Sequence, residues 1–107
     1  MFTLVTFIPI AHTEKVLEAI FSAGAGKQGN YEHSCFVVRG EGRFRPLADA
    51  QPFVGVINQD EHVIEDRIEC LVTEEYIEAV LNALRVAHPY EEPAIYVYKL
   101  DPRCGNK

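Results

Sequence analysis

The chain is poor in cysteine, and the cysteines it has do not pair off. Cys35, Cys70 and Cys104 are odd in number and far apart, so neither a disulfide framework nor a CxxC metal knuckle is indicated, and a reducing, cytoplasmic setting is expected. Positive charge is also scarce. Ten Lys and Arg against sixteen Asp and Glu leave a net charge of −6, and the basic residues are scattered, which disfavours nucleic acid or any other polyanion as a partner. No apolar run reaches membrane-spanning length, and residues 1–10 lack the basic start and small-residue cleavage site of a signal peptide. Standard catalytic signatures are missing too. No serine lies in GxSxG, the four histidines never fall at i, i+4 on a helix or in HxH spacing, and the glycine-rich run 24–30 ends a helical pattern where a phosphate loop would begin one. By default, Cys35 and Cys70 read as small buried hydrophobes.

What remains is the composition of an ordinary folded domain. Of 107 residues, 48% are hydrophobic and 24% charged, enough for one core and too few for two; one domain over 1–101 with a short tail at 102–107 is expected. Residues 2–8 (FTLVTFI) are a continuous apolar and β-branched run stopped by Pro9, the pattern of a strand buried on both faces. From Thr13, Val16, Leu17, Ile20 and Phe21 form an apolar stripe of helical period, closed by Gly24 and Gly26. Residues 27–59 have no helical period, but short apolar pieces at 35–38 and 42–44 predict a strand, a tight excursion and a loop. Residues 62–72 alternate, with Ile64, Ile68, Cys70 and Val72 against Glu65, Arg67 and Glu69, as one long strand would. Thr73 as N-cap, followed by Glu74 and Glu75, predicts a second helix with Ile77, Val80, Leu81 and Leu84 buried, stopped by Pro89; a last strand follows at 94–100.

This order predicts an α+β, ferredoxin-like split βαβ sandwich: an antiparallel sheet, two helices on one face, and a hairpin elaboration in the middle. The second sheet face then has no covering layer, although Val5 and Phe7 point opposite to Leu4, Thr6 and Ile8, and Tyr96 and Tyr98 opposite to Ile95 and Val97. Another copy of the chain is the expected cover, ahead of the alternative that the middle elaboration folds back over that face.

Three groups of residues could carry chemistry. His88-Pro89-Tyr90-Glu91-Glu92-Pro93 holds an imidazole, a phenol and two carboxylates between two prolines, a rigid turn suited to a ligand or metal. The plainer reading, which the sequence favours, is a stiff connector: His88 capping the helix, Tyr90 packed under the turn, and one glutamate receiving backbone or arginine donors. Arg43 and Arg45 around Phe44, with glycines at 40 and 42, would suit a small anion, but a hairpin whose Phe44 and Phe53 plug a core or subunit boundary is the stronger reading. A metal site assembled in space, for example from His88 with Glu69 or Glu91, is the third, and it would hold a divalent ion.

Taken together, Phe7-Ile8-Pro9, Ala23-Gly24-Ala25-Gly26, Gly29-Asn30-Tyr31, residues 40–46, Pro52-Phe53-Val54-Gly55, Arg67-Ile68-Glu69 and residues 87–94 make a specific set. In these strings the chain resembles the small domain inserted into Nif-three-like dinuclear-metal proteins, here standing alone as in short YqfO-type proteins. That domain is similar to CutA and PII-like proteins, so the resemblance implies a trimeric ferredoxin-like module that responds to a divalent metal or a metabolite. The metal-binding halves that flank it in the full-length family are not in this sequence, so a GTP cyclohydrolase-like activity is not expected to carry over. The leading expectation is a homo-oligomeric, non-catalytic binding or regulatory module whose partner is another copy of itself, with a second protein as a further candidate, and whose rim is His88, Tyr90, Glu91, Glu92, Arg67 and Glu69. The alternatives are a metal-dependent hydrolase built across a subunit boundary from His33, Glu69 and His88, and a purely structural interaction domain.

Overall fold

The computed structural model describes residues 1–105; Asn106 and Lys107, the end of the expected tail, lie outside the described residues. The elements are β1 (Phe2–Pro9), α1 (Thr13–Ala23), β2 (Phe36–Phe44), β3 (Glu61–Val72), α2 (Ile77–Ala87) and β4 (Ile95–Lys99), with a 3-10 turn at Ile10–His12 ahead of α1. The strands form one antiparallel sheet in the order β2-β3-β1-β4. This is the ferredoxin-like α+β arrangement that the order of elements predicts.

β1 occupies an interior position because its side chains are apolar at both parities. On one side Leu4 lies opposite Cys70 and Val97, and Thr6 opposite Ile68 and Ile95. Leu4, Ile8, Ile68, Cys70 and Val72 form a single buried cluster with Val16 and Ile20 of α1 and Val80 and Leu84 of α2, so both helices cover this face. Each such aliphatic side chain contributes about 1.5–3 kcal/mol by leaving water. Two polar groups share the face. Thr6 donates its hydroxyl to the Ala94 carbonyl (2.8 Å). Asp66, only 4% exposed, accepts from the Thr13 hydroxyl (2.7 Å) and the Arg39 guanidinium (3.1 Å); these donors, Arg39 foremost, hold its carboxyl below the usual range.

Two elements differ from the sequence expectation. The pieces at 35–38 and 42–44 are one nine-residue strand, because β3 supplies an unbroken ladder from Phe36↔Glu69 to Phe44↔Glu61 that carries Gly40 and Gly42 through. Its last pairs lie beyond the end of β1, which stops at Pro9↔Glu65, so the β2–β3 hairpin projects from the sheet and lengthens the molecule to 48 × 24 × 23 Å. The second helix begins at Ile77 rather than just after Thr73. Residues 73–76 close a turn through Tyr76 N–H to Thr73 O (3.1 Å), and the Thr73 hydroxyl is buried without a partner. Packing of Tyr76 overrides the capping signal here, since its ring closes against Gly24 and lies 4.9 Å from the Lys27 ammonium.

The other sheet face presents Thr3, Val5 and Phe7, with Phe36, Val38, Tyr96 and Tyr98 around them, as the register requires. Phe36 is 64% exposed and Tyr98 55%. Residues 45–54 fold back over only the end of this face near Phe7, so the self-covering alternative holds for that end alone.

Gly24 ends α1 in the left-handed region, φ 118°, and a Cβ placed there would overlap the Tyr76 ring. Gly24→Ala is expected to destabilise the fold by about 2 kcal/mol or more from backbone strain and this clash together, read as a lower urea midpoint at unchanged slope.

Candidate functional site

The partial cover by residues 45–54 creates a cleft of about 1030 Å³ between that loop and the open sheet face. The sheet contributes Phe7, Val38, Arg67 and Tyr96; the end of β2 contributes Phe44; the loop contributes Phe53; and the connection into β4 contributes Tyr90, Glu91 and Glu92. Five aromatic side chains, Phe7, Phe44, Phe53, Tyr90 and Tyr96, thus share the walls with eight charged residues, five of them acidic.

The α2–β4 connection is held from beneath by His88. This residue follows the last turn of α2, its N–H donating to Leu84 O (2.9 Å), and its ring is 5% exposed. Nε2 lies 2.7 Å from the Phe7 carbonyl, and Nδ1 accepts from the Tyr90 N–H at 3.1 Å. A carbonyl can only accept, so Nε2 carries the proton and the ring is the neutral Nε2–H tautomer. Burial lowers its pKa below the ordinary 6.5, outweighing the opposing pull of the Phe7 carbonyl.

The next links follow from that anchor. The Tyr90 hydroxyl donates to Glu65 Oε2 (2.7 Å), and burial, then this carboxylate, pushes the phenol's pKa up, so the phenol stays protonated. The Tyr90 ring stands 6.1 Å from Phe44 and 6.3 Å from Phe53, and Phe53 meets the His12 ring edge-on at 5.3 Å. Glu65 lies against the backbone of Gly42, where any Cβ would collide with its carboxylate; the close approach that alternate glycines permit is used at Gly42, whereas Gly40 faces open space. Glu91 accepts the Gln51 N–H with both oxygens, at 3.2 and 3.3 Å, tying the loop to the turn. Arg43 pairs with Glu41 (3.2 Å) and Arg45 with Asp60 (2.7 Å).

Of the six residues singled out in the sequence, Tyr90, Glu91, Glu92 and Arg67 line the cleft together. His88 lies behind Tyr90 and supports it, while Glu69 stands beside Arg67, which donates to it at 3.1 Å. Ligation of a metal by His88 would require it to give up Tyr90 or Phe7, and Glu69 is already engaged by Arg67. His33 is far from this arrangement, stacked on Phe21 of α1 at 4.8 Å. Among the described residues, no group of three or more His, Cys, Asp or Glu gathers as a metal site. Sequence reasoning missed Phe7, Tyr96 and Glu65 as lining residues; the signal for Glu65 was its place on the charged parity of β3, next to Arg67.

Because His88 is neutral and buried in the fold but free to protonate when unfolded, it opposes folding once the unfolded imidazole takes up a proton. The stability present above pH 6.5 is therefore lost as pH falls toward its lower folded value. His88→Gln keeps a donor for Phe7 and removes the titration. The fall in melting temperature between pH 7 and pH 5 is expected to be shallower in H88Q than in the wild type, and parallel curves would exclude His88 as its source.

Comparison with known proteins places this geometry in context. No family model matches the chain. A Mycobacterium leprae protein named GTP cyclohydrolase 1 type 2 homolog is 43% identical over 102 residues, covering 95% of this chain and 26% of the relative. The crystal structure of a Bacillus cereus protein related to NIF3 superposes with a TM-score of 0.81 at 40% identity, over 94% of this chain and 25% of that one. The PII-like protein CutA from Nostoc sp. PCC 7120 shares the fold, with a TM-score of 0.68 at 16% identity, over 94% of this chain and 82% of that one. The chain thus spans about a quarter of the length of the NIF3-related proteins it matches. Along nearly all of its length it is a homologue of one segment of the Nif-three-like (YqfO) proteins, built on the CutA/PII-like form of the ferredoxin-like fold.

Proposed function

We propose that this chain is a homo-oligomeric, non-catalytic binding or regulatory module whose small-molecule ligand occupies the cleft beneath residues 45–54. The cleft itself carries this reading. Its size and its five aromatic side chains set among charged groups suit a small-molecule site. Arg67 is the cation on its sheet floor, held only by a half-exposed pair with Glu69. Such a pair is worth about 0–1 kcal/mol, so an incoming anion can take over the guanidinium at small cost. The ligand class that fits is an aromatic or apolar body bearing one anionic group.

The activity in the relatives' name is not extended to this chain. Two of the cleft's acid and base candidates are committed to structural contacts, Tyr90 to Glu65 and Glu91 to the Gln51 N–H, which supports the non-catalytic reading. Self-association is the other half of the proposal, supported by the row of Phe36, Val38, Tyr96 and Tyr98 left exposed on the open face. A trimer is the assembly that resemblance to CutA and PII-like proteins implies.

Anilinonaphthalene sulfonate, an aromatic anion, is a suitable first probe. Saturable fluorescence with the wild type is expected, weakened about tenfold in Arg67→Ala, the size of a lost charge-assisted contact, with unchanged circular dichroism. Equal binding by R67A and Phe53→Ala would place the dye elsewhere and overturn the cleft reading. Light scattering across micromolar concentrations should give a multiple of the chain mass, reduced in a Phe36→Glu, Tyr98→Glu double variant. A wild-type monomer at high micromolar concentration would overturn the assembly reading.

A further inference from the structure

Cys35 and Cys70 take no part in the cleft, yet the fold makes them neighbours. Phe36 pairs with Glu69 in the β2–β3 ladder, so Cys35, one residue before β2, stands opposite Cys70 on β3. Both side chains turn to the helix-covered side. Cys70 is 2% exposed within the core, and Cys35, half-buried, packs against the same cluster. Both are free thiols, and Cys35 Sγ donates to the Phe36 carbonyl at 3.6 Å.

The backbone around them is clipped in place. Gly26 N–H donates to Leu71 O (2.8 Å), and Ser34 N–H donates to Gly26 O (3.0 Å). The residue before Cys35 is thereby tied to the residue after Cys70. Side chains directly opposite in an antiparallel pair have Cβ atoms about 4.5–5.5 Å apart, within roughly an ångström of what a disulfide requires.

The two thiols are not equivalent. The neighbouring Cys70 thiol holds Cys35 below the ordinary thiol range, whereas Cys35 and burial push Cys70 up. A half-exposed, thiolate-prone cysteine beside a buried one is the arrangement of an attacking and a resolving residue.

We propose that Cys35 and Cys70 form a redox-active dithiol, oxidised by a low-molecular-weight disulfide to an intramolecular cross-strand disulfide between β3 and the entry to β2. Cys35 gives up its proton and attacks one sulfur of the oxidant, forming a mixed disulfide and releasing one thiolate. Cys70 then loses its proton to that thiolate or to water and attacks Cys35 Sγ, which expels the second thiolate. The protein loses two electrons and two protons, and the oxidant becomes two thiols. In a reducing compartment the dithiol is the resting form.

The test uses the full chain carrying Cys104→Ser, which removes the exposed third thiol and leaves the pair intact. After treatment with oxidised glutathione and alkylation under denaturing conditions, the protein should take up no alkylating agent. Its mass should be lower by about 2 Da, the two hydrogens lost, and dithiothreitol should restore both thiols. Peptide mapping should join the segments containing residues 35 and 70. With Cys70→Ser added, Cys35 should instead accumulate as a stable glutathione adduct. If the Cys104→Ser protein keeps two alkylatable thiols, or carries glutathione on Cys35 that is never displaced, the proposal fails.

Discussion

A single imidazole fastens the α2–β4 connection to the sheet. By donating from Nε2 to the Phe7 carbonyl and accepting the Tyr90 N–H at Nδ1, His88 uses both of its nitrogens on backbone. It works as a two-ended clip. Tyr90 is then presented to Glu65, Glu65 lies over Gly42 where a Cβ would displace its carboxylate, and the rings of Phe44 and Phe53 close around Tyr90. The clip requires an uncharged ring, because an imidazolium has no acceptor for the Tyr90 N–H. The cleft and its acid-side stability therefore share one origin.

Most of the architecture could be read from pattern. The two-sided apolar run of β1, the alternation in β3 and the helical stripe beginning at Val16 each specify an element and a face; the ladder registers agree with the first two and the buried cluster with the third. The errors came where long-range contact outvoted local preference. Thr73 carries a capping side chain that the Tyr76 packing leaves unused, and the glycines of β2 suggested a break that pairing with β3 prevents. Asp66 belongs to neither class. It shares the inward parity of Ile68, and its partners Thr13 and Arg39 lie 53 and 27 residues away in the chain, a distance that no local window spans.

The site was only partly legible. The turn at 88–93 stood out by its composition, and Arg67 by its place on the charged side of β3. Why they belong to one place depends on the loop at 45–54, whose path is set by contacts with no sequence signature: a backbone N–H at Gln51 reaching Glu91, and Phe53 meeting His12 and Tyr90. Local patterns indicate which residues are unusual, whereas the enclosure they form is a property of the tertiary path.

β3 is the longest element in the molecule. At about 3.4 Å per residue, its twelve residues run like a beam from the projecting hairpin tip, past Glu65 and Arg67 in the cleft, to Cys70 in the core. A beam hydrogen-bonded along its length resists bending but transmits displacement along its axis. One strand therefore lines the cleft and also carries the core's only fully buried sulfur among the described residues.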